Sequence, residues 1–201
     1  MPFDLKSIQT IVIVMMENRS FDNLLGYRSL PPNGADVDGI RSDPGWLRSV
    51  ANPYADLFFE PFRLTDPFHP IDVDPHHERP DIATQLGGRQ NGRFRLNGFV
   101  QSYVNSGGHC ADHDHPPPVM GYFAENEAPV AHFFADHYAI CDRWFSSLPA
   151  GTQPNRLMAM SGFSTIDTNQ EPLPNQEILY DWLTKNKVKW RVSSPEAFAV
   201  R

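Results

Sequence analysis

Apolar positions along this chain fall into separate blocks divided by polar, turn-rich stretches. Ile8 to Met16 is almost continuously apolar and rich in β-branched side chains, the pattern of a parallel strand covered on both faces. From about Pro31 to Pro118 neither a period of two nor one of 3.6 is sustained, and Pro31-Pro32, Asn33-Gly34 and Asp43-Pro44 mark turns. The 31–118 stretch is therefore expected to be loop-rich, with one short amphipathic element between Gln90 and Tyr103; loops of such length are commonly functional. Periodicity returns after Val119. Val130, Phe133, Phe134 and His137 recur at helical spacing behind Glu127 to Pro129, which suit a first turn, so a helix is expected there. Tyr138 to Cys141 predicts a short strand, and Pro154 to about Ser161 a helix that Gly162 ends. Glu177 to Lys185 predicts a helix with Ile178, Trp182 and Leu183 inward, and Val188 to Val192 a further strand. Strand, helix and strand in this order predict an α/β fold with a parallel sheet.

Composition narrows the function classes. A chain of 201 residues suits one sizeable core, so a single domain is expected. With 40% hydrophobic and 20% charged residues it has the make-up of a folded globular protein. A formal net charge of −7 and the lack of any Lys/Arg block argue against a nucleic-acid partner. The same balance offers no general attraction to anionic membranes, while leaving attack on a neutral head group open. No apolar stretch reaches the roughly 20 residues of a transmembrane segment. The opening MPFDLKSIQT carries no export signal, so a chain that stays in the cytoplasm is expected. Cys110 and Cys141 are not spaced as a metal-binding pair and are expected to be free, structural thiols.

Three clusters carry candidate chemistry. Glu17-Asn18 ends the first predicted strand, at the edge where open α/β sheets place ligands; a carboxylate and an amide oxygen are hard donors suited to a divalent cation. Taken alone, the pair has a plainer reading, with Asn18 or Ser20 capping a short helix and Glu17 salt-bridged to Arg19 or another base. In LPAGTQPNR, residues 148 to 156, Thr152 precedes a predicted helix, near unpaired N–H groups and the positive end of the helix dipole. Phosphate binds and an alkoxide is stabilised at such a place, although a Thr there is more often only a cap. The third cluster is histidine-rich: His69, His76 and His77 around DVDPHHE, and His109, His113 and His115 in GGHCADHDH. The latter reads as a zinc-binding module only weakly, because extended alternation sends successive side chains to opposite faces.

Together the blocks IQTIVIVMMENRSFDNLLGY, DPHHE, NGFVQSY, VMGYF, FSSLPAGTQPNR with MSG, and VKWRV resemble the phosphoesterase family of bacterial phospholipase C and the related acid phosphatase, within the alkaline-phosphatase-like superfamily. The resemblance runs over nearly the whole chain. It implies a three-layer α/β/α sandwich with a mainly parallel sheet, and hydrolysis of a phosphoric ester substrate, phospholipid among the candidates. By that resemblance Glu17 and Asn18 hold a divalent metal cation, Thr152 is both a metal ligand and the nucleophile, His77 acts at the phosphate, and His76 and Asn155 bind substrate. The expected intermediate is a phospho-threonine cleared by water. HCADHDH matches no motif of the family.

The family's remaining metal ligands, an adjacent pair of aspartates, and its later histidines lie downstream of the matched region. Residues 1–201 are therefore expected to correspond to the N-terminal part of one phosphoesterase domain, with the ligand set completed by further sequence or by another chain. Read alone they are expected to bind metal weakly and to turn over little substrate. A different class of function is a catalytically impaired remnant that folds and binds a partner. Family members are often exported, against the cytoplasmic expectation from the N-terminus.

Overall fold

Short helices and shorter strands alternate along the chain, as expected where turn residues interrupt the sequence every few positions. The computed structural model describes residues 5–66, 73–110 and 114–193; His69 and His113 fall outside them. In order come α1 (Phe21–Leu24), α2 (Pro44–Val50), β1 (Asn52–Tyr54), β2 (Leu57–Phe59), β3 (Phe62–Arg63), α3 (Arg79–Leu86), β4 (Arg89–Gln90), β5 (Arg93–Phe94), α4 (Phe99–Asn105), β6 (Gly121–Tyr122), α5 (Pro129–His137), α6 (Thr152–Ser161) and α7 (Leu179–Lys185). β1 pairs with β2 and β4 with β5, both antiparallel, and β3 pairs with β6 in parallel. This mixture of helices and small sheets is consistent with an α/β protein. Contacts gather into two compact units, Met1–Ser42 with Phe62–His69 and Gly121–Asp142, and Asp43–Pro61 with Pro70–Met120 and Arg143–Arg201.

The first unit is organised around the parallel pair β3–β6. Asn23 is its fastener: its Nδ2 donates to the Gly121 carbonyl at 2.8 Å, and its carbonyl accepts from the Phe123 N–H at 2.8 Å. Ile40, Leu64, Phe123 and Ala124 form the apolar interior. Arg63 on β3 grips Glu127 through two nitrogens, with contacts from 2.9 to 3.3 Å, and the Glu127 carboxylate also accepts from the Ala124 N–H. The Arg63 hydrogen bond is the main reason the Glu127 carboxyl is held below its ordinary range.

The second unit is built on α3 and α4. The NGFVQSY block is explained here. Buried Asn52 on β1 turns its Oδ1 to the N–H groups of Phe99 and Val100, at 2.7 and 3.4 Å, and so caps α4 from a distant point in the chain. Gly98 lies so close to α3 that a Cβ on it would stand 1.8 Å from the Thr84 carbonyl oxygen, which no side chain tolerates. Val100, Ser102 and Tyr103 are buried on the inner face of α4.

Several expectations from the hydrophobic pattern are corrected. Ile8–Met16, Tyr138–Cys141 and Val188–Val192 are not strands, and Ile11 to Met16 are 52–79% exposed. A strand's hydrogen bonds come from a neighbour, and these three segments, each other's expected neighbours, are unpaired. The 31–118 region holds more regular structure than expected, because elements of two to eight residues are too short to display a period. The helix expected after Glu127 forms; Val130, Phe133 and Phe134 on it are exposed and His132 is its buried residue. α6 begins two residues before Pro154, at Thr152, and ends at Gly162 in the left-handed conformation as expected. α7 forms with Ile178 and Leu183 half-buried, while Trp182 is exposed. Cys110 and Cys141 form no disulfide. Among the described residues no helix is long and apolar enough to cross a membrane.

His132 is 1% exposed, with Nδ1 3.5 Å from an Arg28 nitrogen, and Arg28 pairs with Asp136 at 2.6 Å. Burial first, and then the Arg28 charge, push the imidazole below its ordinary pKa. The folded state therefore holds it neutral, while the unfolded chain takes up a proton as pH falls through about 6.5. Its contribution is full above that value and is lost as pH falls through the folded pKa. Thermal melts between about pH 7 and pH 5 are expected to show stability falling with acidity, with a flatter slope in His132→Phe.

Candidate functional site

The LPAGT turn is presented by a side chain that follows it. Asn155, in the first turn of α6, donates from Nδ2 to the carbonyls of Leu148, Ala150 and Gly151 at 3.1, 2.9 and 3.1 Å, and its Oδ1 accepts from the Leu148 N–H at 3.0 Å. The loop's polar backbone would otherwise lack partners. Gly151 is the N-cap, extended and without a side-chain cap, so Thr152 is the first helical residue rather than the cap. Its half-buried side chain stands beside the positive end of the helix. The amide array there is thinner than the sequence suggests. Pro154 has no N–H, and the Gln153 N–H is taken by Asn169 Oδ1 at 2.7 Å.

Asn169 also explains the glycine. A Cβ on Gly151 would lie 2.5 Å from Asn169 Nδ2 and 2.7 Å from its Cγ. The Asn169 N–H donates to the Glu78 carboxylate at 3.1 Å, so Glu78, Asn169 and Gln153 form a relay that ties DPHHE to TQPNR within one unit. A second tie runs from Arg79 Nε to Asp167 Oδ2 at 3.2 Å.

The two histidines of DPHHE are held by their backbone and exposed by their side chains. His76 donates its N–H to Ser106 Oγ and accepts at its carbonyl from Gln85 Nε2, both at 3.0 Å, and its Nδ1 lies 3.7 Å from Asp81 Oδ1. His77 Nδ1 is 3.0 Å from the Pro75 carbonyl. A carbonyl only accepts, so that nitrogen carries the proton and Nε2 of the neutral ring keeps its lone pair.

Glu17 and Asn18 belong to the other unit. Asn18 has φ of 68°, in the left-handed region that Asn tolerates better than most residues, and this turns the chain at the end of the apolar run. Ser20, not Asn18, caps α1, accepting from the Asn23 N–H at 3.2 Å, and Arg19 lies over the Phe123 ring. Glu17 is half-buried. The Glu17 carboxylate and the Asn18 amide oxygen fit a hard divalent cation in kind, but two oxygens are fewer than the six or so such ions take. Among the described residues no three His, Cys, Asp or Glu side chains gather as a metal cluster; His109 and His115 are exposed.

Glu78 and Asn169 are the site-forming residues that the sequence did not reveal. Glu78 sits inside a recognised block but reads as an ordinary helix start, and Asn169 lies in DTNQE, a stretch with no periodic or motif signal. Their roles lead to a stability test. Asn155→Ala strands the Leu148–Gly151 backbone and is expected to cost about 2–3 kcal/mol in urea denaturation, against about 1 kcal/mol for Asn169→Ala, which releases a single amide.

Comparison with known proteins accounts for the blocks. The sequence model of the Phosphoesterase family matches residues 8–197. Non-specific phospholipase C3 of Arabidopsis thaliana is 35% identical over 179 residues, covering 81% of this chain and 31% of that protein. Non-specific phospholipase C1 of the same plant is 33% identical over 159 residues, covering 78% and 28%. Phospholipase C A of Mycobacterium tuberculosis is 28% identical over 203 residues, covering 95% and 36%. The relatives are thus both plant and bacterial, and the chain spans about a third of their length. With the match running through both units and all the site blocks, this chain belongs to the Phosphoesterase family.

Proposed function

We propose that this chain is the nucleophile-bearing part of a phosphoric ester hydrolase of the phospholipase C type, with an alkaline-phosphatase-like sandwich as the complete fold. The observation that carries the reading is the Thr152 turn: a hydroxyl at the first residue of a helix, on a loop stapled by Asn155, in the same unit as His77 and tied to DPHHE through Glu78 and Asn169. The relatives' names favour phospholipase C over acid phosphatase chemistry.

In this reading Thr152 Oγ attacks phosphorus and forms the Oγ–P bond as the bond from phosphorus to the departing alcohol breaks. A divalent cation held by Glu17, Asn18 and Thr152 would lower the hydroxyl's pKa and offset phosphoryl charge. His77 Nε2 has the lone pair to accept the threonine proton, and the resulting imidazolium returns it to the alcohol. Water then cleaves the phospho-threonine and releases the phosphorylated fragment. The Thr152 and Gly151 amides face the oxygens that gain charge. Asn155 acts by positioning the turn, and His76 flanks the phosphate. The ligand set is completed by further sequence or by a partner chain.

Release of the head group from phosphatidylcholine tests this, using the chain alone and with the C-terminal segment of a plant relative supplied. Thr152→Ala is expected to lower the rate by about a thousandfold or more, with a phosphocholine ester of Thr152 detectable in the parent by mass spectrometry. Equal rates in parent and variant would falsify the assignment. For the metal, calorimetric titration of the chain alone with Mn²⁺ is expected to give weak binding. Glu17→Gln should weaken it about tenfold further, and unchanged affinity would remove Glu17 from the ligand set.

A further inference from the structure

The chain is acidic as a whole, yet residues 82 to 111 carry the three arginines Arg89, Arg93 and Arg95 and no acidic side chain. The structure gathers them. β4 and β5 form a hairpin closed by Asn91-Gly92, with φ of 52° and 78°, the two-residue turn that asparagine and glycine favour. Beside it, the end of α2 brings Arg48, and the β1–β2 hairpin brings Phe58. Together they line an open groove of about 730 Å³, whose walls include Arg48, Phe58, Arg93, Phe94 and Arg95. All of these lie within the second unit.

Two properties separate this groove from ordinary surface. Arg48, Arg93 and Arg95 make no ion pair among the described residues, although Glu60 lines the adjoining hollow with Arg48 and Phe58. Their charge is therefore mostly uncompensated. Large apolar side chains are exposed beside them: Phe58 is 63% and Phe94 43% exposed. Arg89 lies over the Phe94 ring at 4.4 Å and props it outward. Guanidinium forks suit phosphate oxygens, and exposed rings among them suit the boundary between head groups and acyl chains.

We propose that this groove docks the protein on an anionic phospholipid surface, separately from the Thr152 turn. The proposal rests on the phospholipase C-type reading for its choice of a lipid. Charge complementarity carries it further: a compact basic patch on an acidic protein suits a surface met at one point. An extended nucleic acid would meet the rest of the acidic chain, and the patch offers no basic track for it to follow. Net charge misleads here, because attraction to an anionic leaflet acts within about a Debye length of the surface.

The test is co-sedimentation of the chain with vesicles of phosphatidylcholine alone and of phosphatidylcholine mixed with phosphatidylserine. Binding to the mixed vesicles is expected to exceed binding to phosphatidylcholine by tenfold or more, and to weaken as salt is raised. The R93Q/R95Q variant, with both changes on an exposed hairpin, is expected to lose about tenfold or more of that binding with an unchanged circular dichroism spectrum. Phe94→Ala should weaken binding to the mixed vesicles with less change in its salt dependence. Thr152→Ala should bind vesicles like the parent, so that loss of turnover and loss of docking are told apart. Equal binding to both vesicle types, or a double variant that binds like the parent, overturns the proposal. So does tighter binding to a single-stranded oligonucleotide than to the mixed vesicles.

Discussion

One side-chain amide holds the candidate site in shape. The loop from Leu148 to Gly151 runs between elements with no ladder or helix of its own to satisfy its backbone, and Asn155 meets three of its carbonyls and one of its N–H groups. Because Asn155 is itself in the first turn of α6, the loop is fixed relative to the helix that follows, and Thr152 sits at the join. Glu78 and Asn169 extend the same logic outward, each side chain meeting a backbone amide of the next segment. Rigidity at Thr152 is thus built from polar groups in a region with few large apolar side chains.

The first unit reaches a similar end by different means. Its central pairing is only two residues long on each side, too little to stand without support. Asn23, the last residue of ENRSFDN, supplies that support, and the Arg63–Glu127 fork adds a charged clasp at its rim. The block therefore has a structural duty independent of any metal at Glu17 and Asn18. Residues read as a functional motif are partly the scaffold that makes the motif's shape.

The sequence made some elements legible and concealed others. α6 and α7 could be read because a helix satisfies its own backbone, so its signals are local: a turn, apolar spacing, Gly162 as a stop. Ile8–Met16 could not be read correctly from its residues alone, since whether an apolar run is a strand depends on what lies beside it. α5 was legible in part. Spacing located the helix but not which face turns inward, and the buried position went to His132, which Arg28 and the Tyr27 ring can meet, rather than to the phenylalanines. For the site, the blocks that mark the family were legible by resemblance. The residues that connect them, Glu78 and Asn169, were not, because one hydrogen bond across 91 positions leaves no mark in local sequence.

The unpaired run from Ile11 to Met16 has a consequence for how such a chain must be handled. Six consecutive apolar residues, without charge or proline and open to solvent, offer vacant backbone donors and acceptors to any other extended segment. Two molecules brought close can join there edge to edge before either meets a substrate. Keeping the chain dilute, or shielding that run with a chaperone while it is being made, then matters as much to obtaining working protein as any residue of the site.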